Sequence, residues 1–203
     1  MLRALALGSA LAGGLALAAT LAVQAQAPGP ANGLFLVAKP GLADPNFSRT
    51  VVLVTQAEDA STVGVIINRP SKMLLSQFHG GALPTENYKE PVYFSGPVMR
   101  HALLAVFRAE EPPKAAAFHV LKGLYLTLHE ANVTALLSDA KARYRLYAGF
   151  SGWAPRQLES EFQREGWYVL PADEATVFRK DMNGLWEELV AKASGPRAFL
   201  SAN

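Results

Sequence analysis

The 203-residue chain contains no cysteine. That absence removes disulfides, thiolate nucleophiles, zinc-thiolate sites and the acylated cysteine of a lipoprotein together. An exported form would have to stand on its hydrophobic core alone. Charge is also scarce: 18% of residues are charged and the formal net charge is +2. The lysines and arginines are spread along the chain, so no basic surface for nucleic acid or an anionic membrane is expected. Only four histidines occur, and His79, His101, His119 and His129 show none of the close spacings of a metal-binding helix. No metal and no other cofactor is implied. The acidic residues are scattered, and no carboxylate pair for acid–base chemistry can be read from the sequence.

What is present is apolar. Half of the residues are hydrophobic, a globular balance, and the length suits one domain. The most apolar stretch comes first: Arg3 precedes an uncharged run over residues 4–23, the pattern of a secretory leader. Small residues permit cleavage after Ala25 or after Ala27. Pro28 would follow the later cut and should block it, so cleavage after Ala25 and a mature start at Gln26 are expected. The organisation read from sequence is thus a signal peptide over 1–25, a flexible mature N-terminus over 26–33, one domain over 34–194 and a frayed tail over 195–203. The compartment is then periplasmic or secreted. An uncleaved leader would instead be a membrane anchor, since about 20 apolar residues can span a bilayer.

Within the domain, residues 34–38, 50–56 and 62–68 are short apolar, β-branched runs between Pro, Gly and Asp corners, and they predict strands. Val51 to Val54 and Val63 to Ile67 are too uniformly apolar for a strand with one wet face. Further strands are predicted over 92–94, 102–107, 117–121, 124–128 and 145–150, with a tight turn at Lys122-Gly123. Helices are predicted over 131–140, 155–165 and 182–193. Strands first and helices afterwards, without regular alternation, predict an α+β fold.

Chemistry could sit at the strand exits. Asn68-Arg69-Pro70 leaves an amide and a guanidinium at the end of a buried strand, and arginine grips a carboxylate or phosphate with two parallel bonds. Asp44, after Lys39-Pro40-Gly41, and Ser95-Gly96-Pro97 are exits of similar composition. Trp153 and Gln157, four residues apart, could share one helical face. The candidate ligand-binding residues are therefore Asp44, Asn68, Arg69, Ser95, Gly96, Trp153 and Gln157, for a small ligand or an envelope partner protein. The alternative is purely structural. In it Asp44 caps a turn, Asn68 satisfies loop amides, Arg69 pairs with Asp44, and Trp153 with Gln157 fixes a strand-to-helix crossing. Gly149-Phe150-Ser151-Gly152 stands where a nucleophile elbow would be, but Trp153 occupies the position that needs glycine, and no histidine follows His129. A hydrolase using Ser151 is the weakest reading.

Three blocks carry a resemblance. Residues 34–70 read LFLVAKPGLADPNFSRTVVLVTQAEDASTVGVIINRP, residues 92–98 read VYFSGPV and residues 147–173 read YAGFSGWAPRQLESEFQREGWYVLPAD. In this order they resemble the YqgE/AlgH family of bacterial proteins. The resemblance implies a bent, mostly antiparallel sheet closing into a pseudo-barrel with helices packed outside. It implies no settled activity, and it suggests transcriptional regulation as an alternative to ligand or partner binding. It also implies that most relatives begin near Leu34, without a leader.

Overall fold

The computed structural model describes residues 32–77, 83–163 and 166–195. The predicted leader, His79 and all but the first residue of the predicted tail lie outside the described residues, as does most of the segment 26–33. Among the described residues nine strands form one sheet: β1 (Leu34–Ala38), β2 (Val51–Gln56), β3 (Thr62–Ile66), β4 (Tyr93–Phe94), β5 (Val98–Arg108), β6 (Phe118–Leu121), β7 (Leu124–Thr127), β8 (Tyr144–Trp153) and β9 (Trp167–Pro171). The helices are α1 (Glu130–Ser138), α2 (Gln157–Gln163), the single turn α3 (Glu174–Val177) and α4 (Leu185–Ser194).

The strands run in the order β6-β7-β5-β8-β3-β2-β1-β9, and the pairings are antiparallel except that β4 lies parallel to β8. The sheet is not closed into a barrel, which corrects the expected pseudo-barrel. Its two ends, β6 and β9, do not pair with each other. Curvature nevertheless brings β6 across the ends of other strands: the Val120 carbonyl accepts from Gly33 N–H, and the His119 carbonyl accepts from the Thr55 hydroxyl. A crossing strand cannot continue a ladder, so the sheet bends without closing.

β8 is the strand on which the bend turns. Its first half pairs with β5 and its last three residues pair with β3. Gly149 sits between the halves with φ of 68°, a left-handed conformation that glycine adopts without strain. Opposite it, β5 shifts register between Val98 and Leu103. That bulge leaves the four residues from Val98 to His101 exposed, which is why only the later part of β5 has a strand's apolar pattern.

Alternation along the strands feeds three clusters. Phe35, Val37, Val51, Leu53, Val65, Leu104, Val106 and Tyr147 face one interior, joined by Leu185 and Leu189 of α4. Leu36, Ala38, Val52, Val54 and Ile66 face the opposite way and pack against Trp153, Trp167 and Leu158 of α2. Leu103, Ala105, Phe107, Leu146 and Ala148 are covered by Val133 and Leu137 of α1. Both faces of the central strands are therefore dry, which accounts for their unbroken apolar runs.

Several boundaries differ from the sequence reading. β3 ends at Ile66 rather than at Asn68, α2 spans Gln157–Gln163, and α4 begins at Leu185 behind Gly184, whose φ is 72°. β9 had no counterpart in the sequence reading. It follows a helix, and its burial alternates as an edge strand's does.

Candidate functional site

The strand-exit residues do come near one another, and the side chains of Asn68, Arg69 and Asp44 are engaged with backbone, whereas the buried Ser95 hydroxyl has no hydrogen-bond partner among the described residues. The Asn68 amide oxygen accepts from Val51 N–H at 2.9 Å, while its nitrogen donates to the Arg49 carbonyl at 3.0 Å. Arg69 donates to the carbonyls of Asn46 at 2.6 Å and Ser48 at 3.0 Å. Burial lowers the Arg69 pKa, and the neighbouring Asp44 carboxylate acts against that shift. Asp44 itself accepts from Asn46 N–H at 2.8 Å. Arg69 thus grips the carbonyls of the turn that Asp44 opens, where the sequence suggested an Arg69–Asp44 pair.

Ser95 and Gly96 lie where β4 meets β8. Ser95 is fully buried, and its carbonyl accepts from the Ser151 hydroxyl at 3.2 Å. Ser151 is itself fully buried inside β8, with Gly64 of β3 as its ladder partner. The GFSG stretch is therefore mid-strand and not a strand-to-helix elbow. Ser151 as an exposed nucleophile is corrected accordingly, because a hydroxyl inside a ladder offers no path to a substrate.

Trp153 and Gln157 belong to a different region. The indole N–H groups of Trp153 and Trp167 both donate to one carboxylate oxygen of Glu161, each at 3.1 Å. Phe47 stacks on Trp153 at 5.8 Å and meets Trp167 edge-on at 5.5 Å. Gln157 accepts from Ala154 N–H and so caps the start of α2. One acid bridging two buried indoles locks α2 and β9 onto the sheet. We expect Glu161→Ala to cost about 2 kcal/mol, because two largely buried donors lose their acceptor. Glu161→Gln keeps an oxygen there and should cost clearly less. Urea unfolding of both variants checks this, and equal losses would refute it.

The polar feature that sequence reading missed is Arg145. It is 1% exposed yet carries a charge, since arginine stays protonated. Its Nε donates to Glu90 at 3.0 Å, Nη1 to the Val177 carbonyl at 2.7 Å and Nη2 to the Arg179 carbonyl at 3.0 Å. The guanidinium lies 4.7 Å from the centre of the Tyr93 ring. Burial alone would lower its pKa, but Tyr147, Tyr93 and Glu90 outweigh that and raise it. Burial pushes the Tyr147 phenol up as well. No motif points to Arg145. In a strand it reads as one outward-facing cation, and only the fold brings Glu90 and the end of α3 to it.

Arg145 forms part of the wall of a cleft of about 520 Å³, with Asn68, Tyr93, Glu90, Lys89 and Lys180 also lining it. Of the candidate residues only Asn68 reaches this cleft. A wider groove of about 810 Å³ runs beside α1. Two of its cations, Arg108 and Arg143, are both paired with Glu174. Among the described residues no group of His, Asp and Glu could hold a metal ion, and no helix is long and apolar enough to cross a membrane.

The profile of the AlgH-like family matches residues 35–198. The chain belongs to the AlgH-like family. The UPF0301 protein of Thermobifida fusca is 33% identical over 180 residues, covering 83% of this chain and 90% of that protein. The UPF0301 protein of Anaeromyxobacter dehalogenans is 33% identical over 177 residues, covering 82% and 90%. Among solved structures, the solution structure of AlgH from Pseudomonas aeruginosa is similar with a TM-score of 0.65 and 26% identity, covering 81% of this chain and 88% of that one. The crystal structure of DIP2367 from Corynebacterium diphtheriae, at 24% identity and a TM-score of 0.62, covers 83% and 90% and supports the fold alone. AlgH-like membership confirms the resemblance read from the three blocks. It assigns no reaction, so any function has to be argued from the site.

Proposed function

We propose that this protein is an exported, non-catalytic binding protein of the cell envelope whose ligand enters the cleft beside Arg145. The observation that carries the binding part is a fully buried, fixed guanidinium in the wall of a cleft with two lysines, Lys89 and Lys180, also lining it. A cleft with few convergent polar groups and a perturbed titratable residue is the usual form of a ligand site. The leader pattern over residues 4–23 supports export. Regulation through direct DNA contact is less well supported. The only two consecutive helices among the described residues are α3 and α4, and α3 has four residues, too short for one member of a helix-turn-helix.

Two measurements test the reading. In fractionated Gram-negative cells, a soluble periplasmic species beginning at Gln26 is expected, and a cytosolic species beginning near Leu34 would overturn export. For binding, a set of small metabolites screened by thermal shift should contain compounds that stabilise the protein but not the Lys89→Ala/Lys180→Ala variant. Stabilisation that is indifferent to these lysines would move the site elsewhere.

A further inference from the structure

We propose that residues 26–31, reading QAPGPA, fold back as an arm over β6 and fill an apolar groove beside β3 and the end of β7, with Pro28 and Pro30 against Phe118 and Leu128. The groove is made of two hollows, of about 440 and 340 Å³, that share Phe118 and Leu128 in their walls. Ala116, Ala117 and His129 continue it on one side, and Val63 and Phe150 on the other. Phe118, Leu128 and Phe150 are only partly buried, so apolar surface faces outward here. Among the described residues that line the two hollows, none is a lysine, arginine, aspartate or glutamate. His129 accepts from Ala131 N–H through Nδ1, so its ring is neutral as well. The groove lies at the end of β8 near Gly152, whereas the Arg145 cleft lies at the start of that strand. Docking of the arm is thus independent of the cleft and takes from the export reading only the position at which the arm begins.

Three observations commit the groove to this chain's own arm. The first is where the chain enters the fold. The Asn32 amide oxygen accepts from Gln56 N–H at 2.9 Å and from the Thr55 hydroxyl at 2.6 Å, and Gly33 N–H donates to the Val120 carbonyl. Gln56 is the ladder partner of Thr62, which lines the groove. Successive residues of β6 lead the same way: Val120 meets Gly33, His119 meets Thr55 and Phe118 lines the groove with Val63. The second is reach. Neighbouring strands lie about 4.8 Å apart, so the groove at β3 is two strand spacings, about 10 Å, from the start of β1. Six extended residues span about 20 Å. The third is chemical match. The arm carries no side-chain charge, like the groove, and two of its six residues are proline. Proline-rich segments hold an extended helix in advance and dock in apolar, aromatic-lined grooves at small entropic cost.

The test is a cycle of variants in the chain that begins at Gln26. Pro28→Ser/Pro30→Ser removes the two rings of the arm. Ala116→Asp puts a carboxylate into the groove wall at an exposed side chain, while the Ala116 carbonyl stays held by Thr127 and Asn132. Each change is expected to lower Tm by about 2–4 °C. Combined, they should lower it no further than the larger of the two, because a displaced arm has no contact left to lose. The absence of cysteine allows the contact to be read directly. Ala27→Cys/Ala116→Cys should form a disulfide within one chain about tenfold faster than Ala27→Cys/Lys180→Cys, whose second site lines the cleft at the other end of β8. Additive losses of Tm, no loss from the proline variant, or equal crosslinking of the two pairs would overturn the inference. A disulfide joining two chains would overturn it as well and assign the groove to the arm of a second copy. These outcomes are measured on a chain made from Gln26 onward, so they stand apart from whether the leader is cut in cells. A failure of export and a failure of docking are therefore read separately.

Discussion

Replacing Arg145 with methionine is expected to cost about 3–5 kcal/mol, a large share of a typical domain's total stability of roughly 5–15 kcal/mol. Methionine fills much of the same space, so the loss comes from polarity and not from a cavity. The carbonyls of Val177 and Arg179 lose their donor, and the end of α3 loses its tie to β8. Glu90 matters less, since its side chain is 46% exposed and can return to water. Glu90→Gln keeps an oxygen for the Arg145 Nε–H but removes the counter-charge of a buried guanidinium, so it should cost about 2 kcal/mol, less than the loss of Arg145 itself. Exchanging a whole buried ion pair for apolar groups can be neutral, but removing one partner is costly. Urea unfolding with an unchanged denaturant slope is the measurement. A methionine variant within about 1 kcal/mol of the wild type would mean that Arg145 does not anchor α3.

Gly96→Ala should be comparably severe, for a reason of space. Gly96 has φ of 151°, and a Cβ there would lie 2.3 Å from both the carbonyl carbon and the carbonyl oxygen of Phe150. Those atoms are backbone of the strand on which the sheet bends, so they cannot swing aside as a side chain would. The strand would have to separate from the Ser95–Gly96 segment. That breaks the bonds from Ser95 N–H to the Ala148 carbonyl and from the Ser151 hydroxyl to the Ser95 carbonyl. A loss of roughly 3 kcal/mol or more, or failure to accumulate as folded protein, is expected. Gly41→Ala is the control. A Cβ there meets nothing within 4 Å, and the change should fall within about 0.5 kcal/mol of neutral. If the two variants have similar Tm values, the tight β4–β8 contact is not what holds this bend.

Gly149 and Gly152, which look alike in the sequence, separate in the structure. Gly149 needs its left-handed φ, and a Cβ would come within 2.8 Å of the Gly96 carbonyl. At Gly152 the nearest atom is 3.4 Å away, on the edge of the Phe150 side-chain ring and not on backbone. Sequence shows that glycine is present; the fold shows which one is needed.

The elements that were legible are those whose local pattern and final environment agree. Val51 to Val54 and Val63 to Ile67 had to be buried on both faces because every second residue could find a different core, and the clusters above and below β1–β3 bear this out. The start of β5 and the whole of β9 were not legible. One is a bulge exposed to solvent, and the other is an edge strand whose pattern is diluted by half-exposed positions. The family was also legible, because odd residues at turns survive as words in the sequence.

By itself, the sequence determined the family, the α+β class, the strands at the centre of the sheet and the absence of thiol chemistry. These follow from composition and from short-range patterns, which are properties of neighbouring residues. The tertiary structure decided that the sheet stays open, that Ser151 is buried in a ladder and that Asn68 and Arg69 hold backbone. It also decided that Arg145 meets Glu90, 55 positions earlier in the chain, and the carbonyls of Val177 and Arg179, 32 and 34 positions later. Such contacts leave no local trace, because a buried charge is tolerated only where distant segments supply its partners, and the chain must fold before they do.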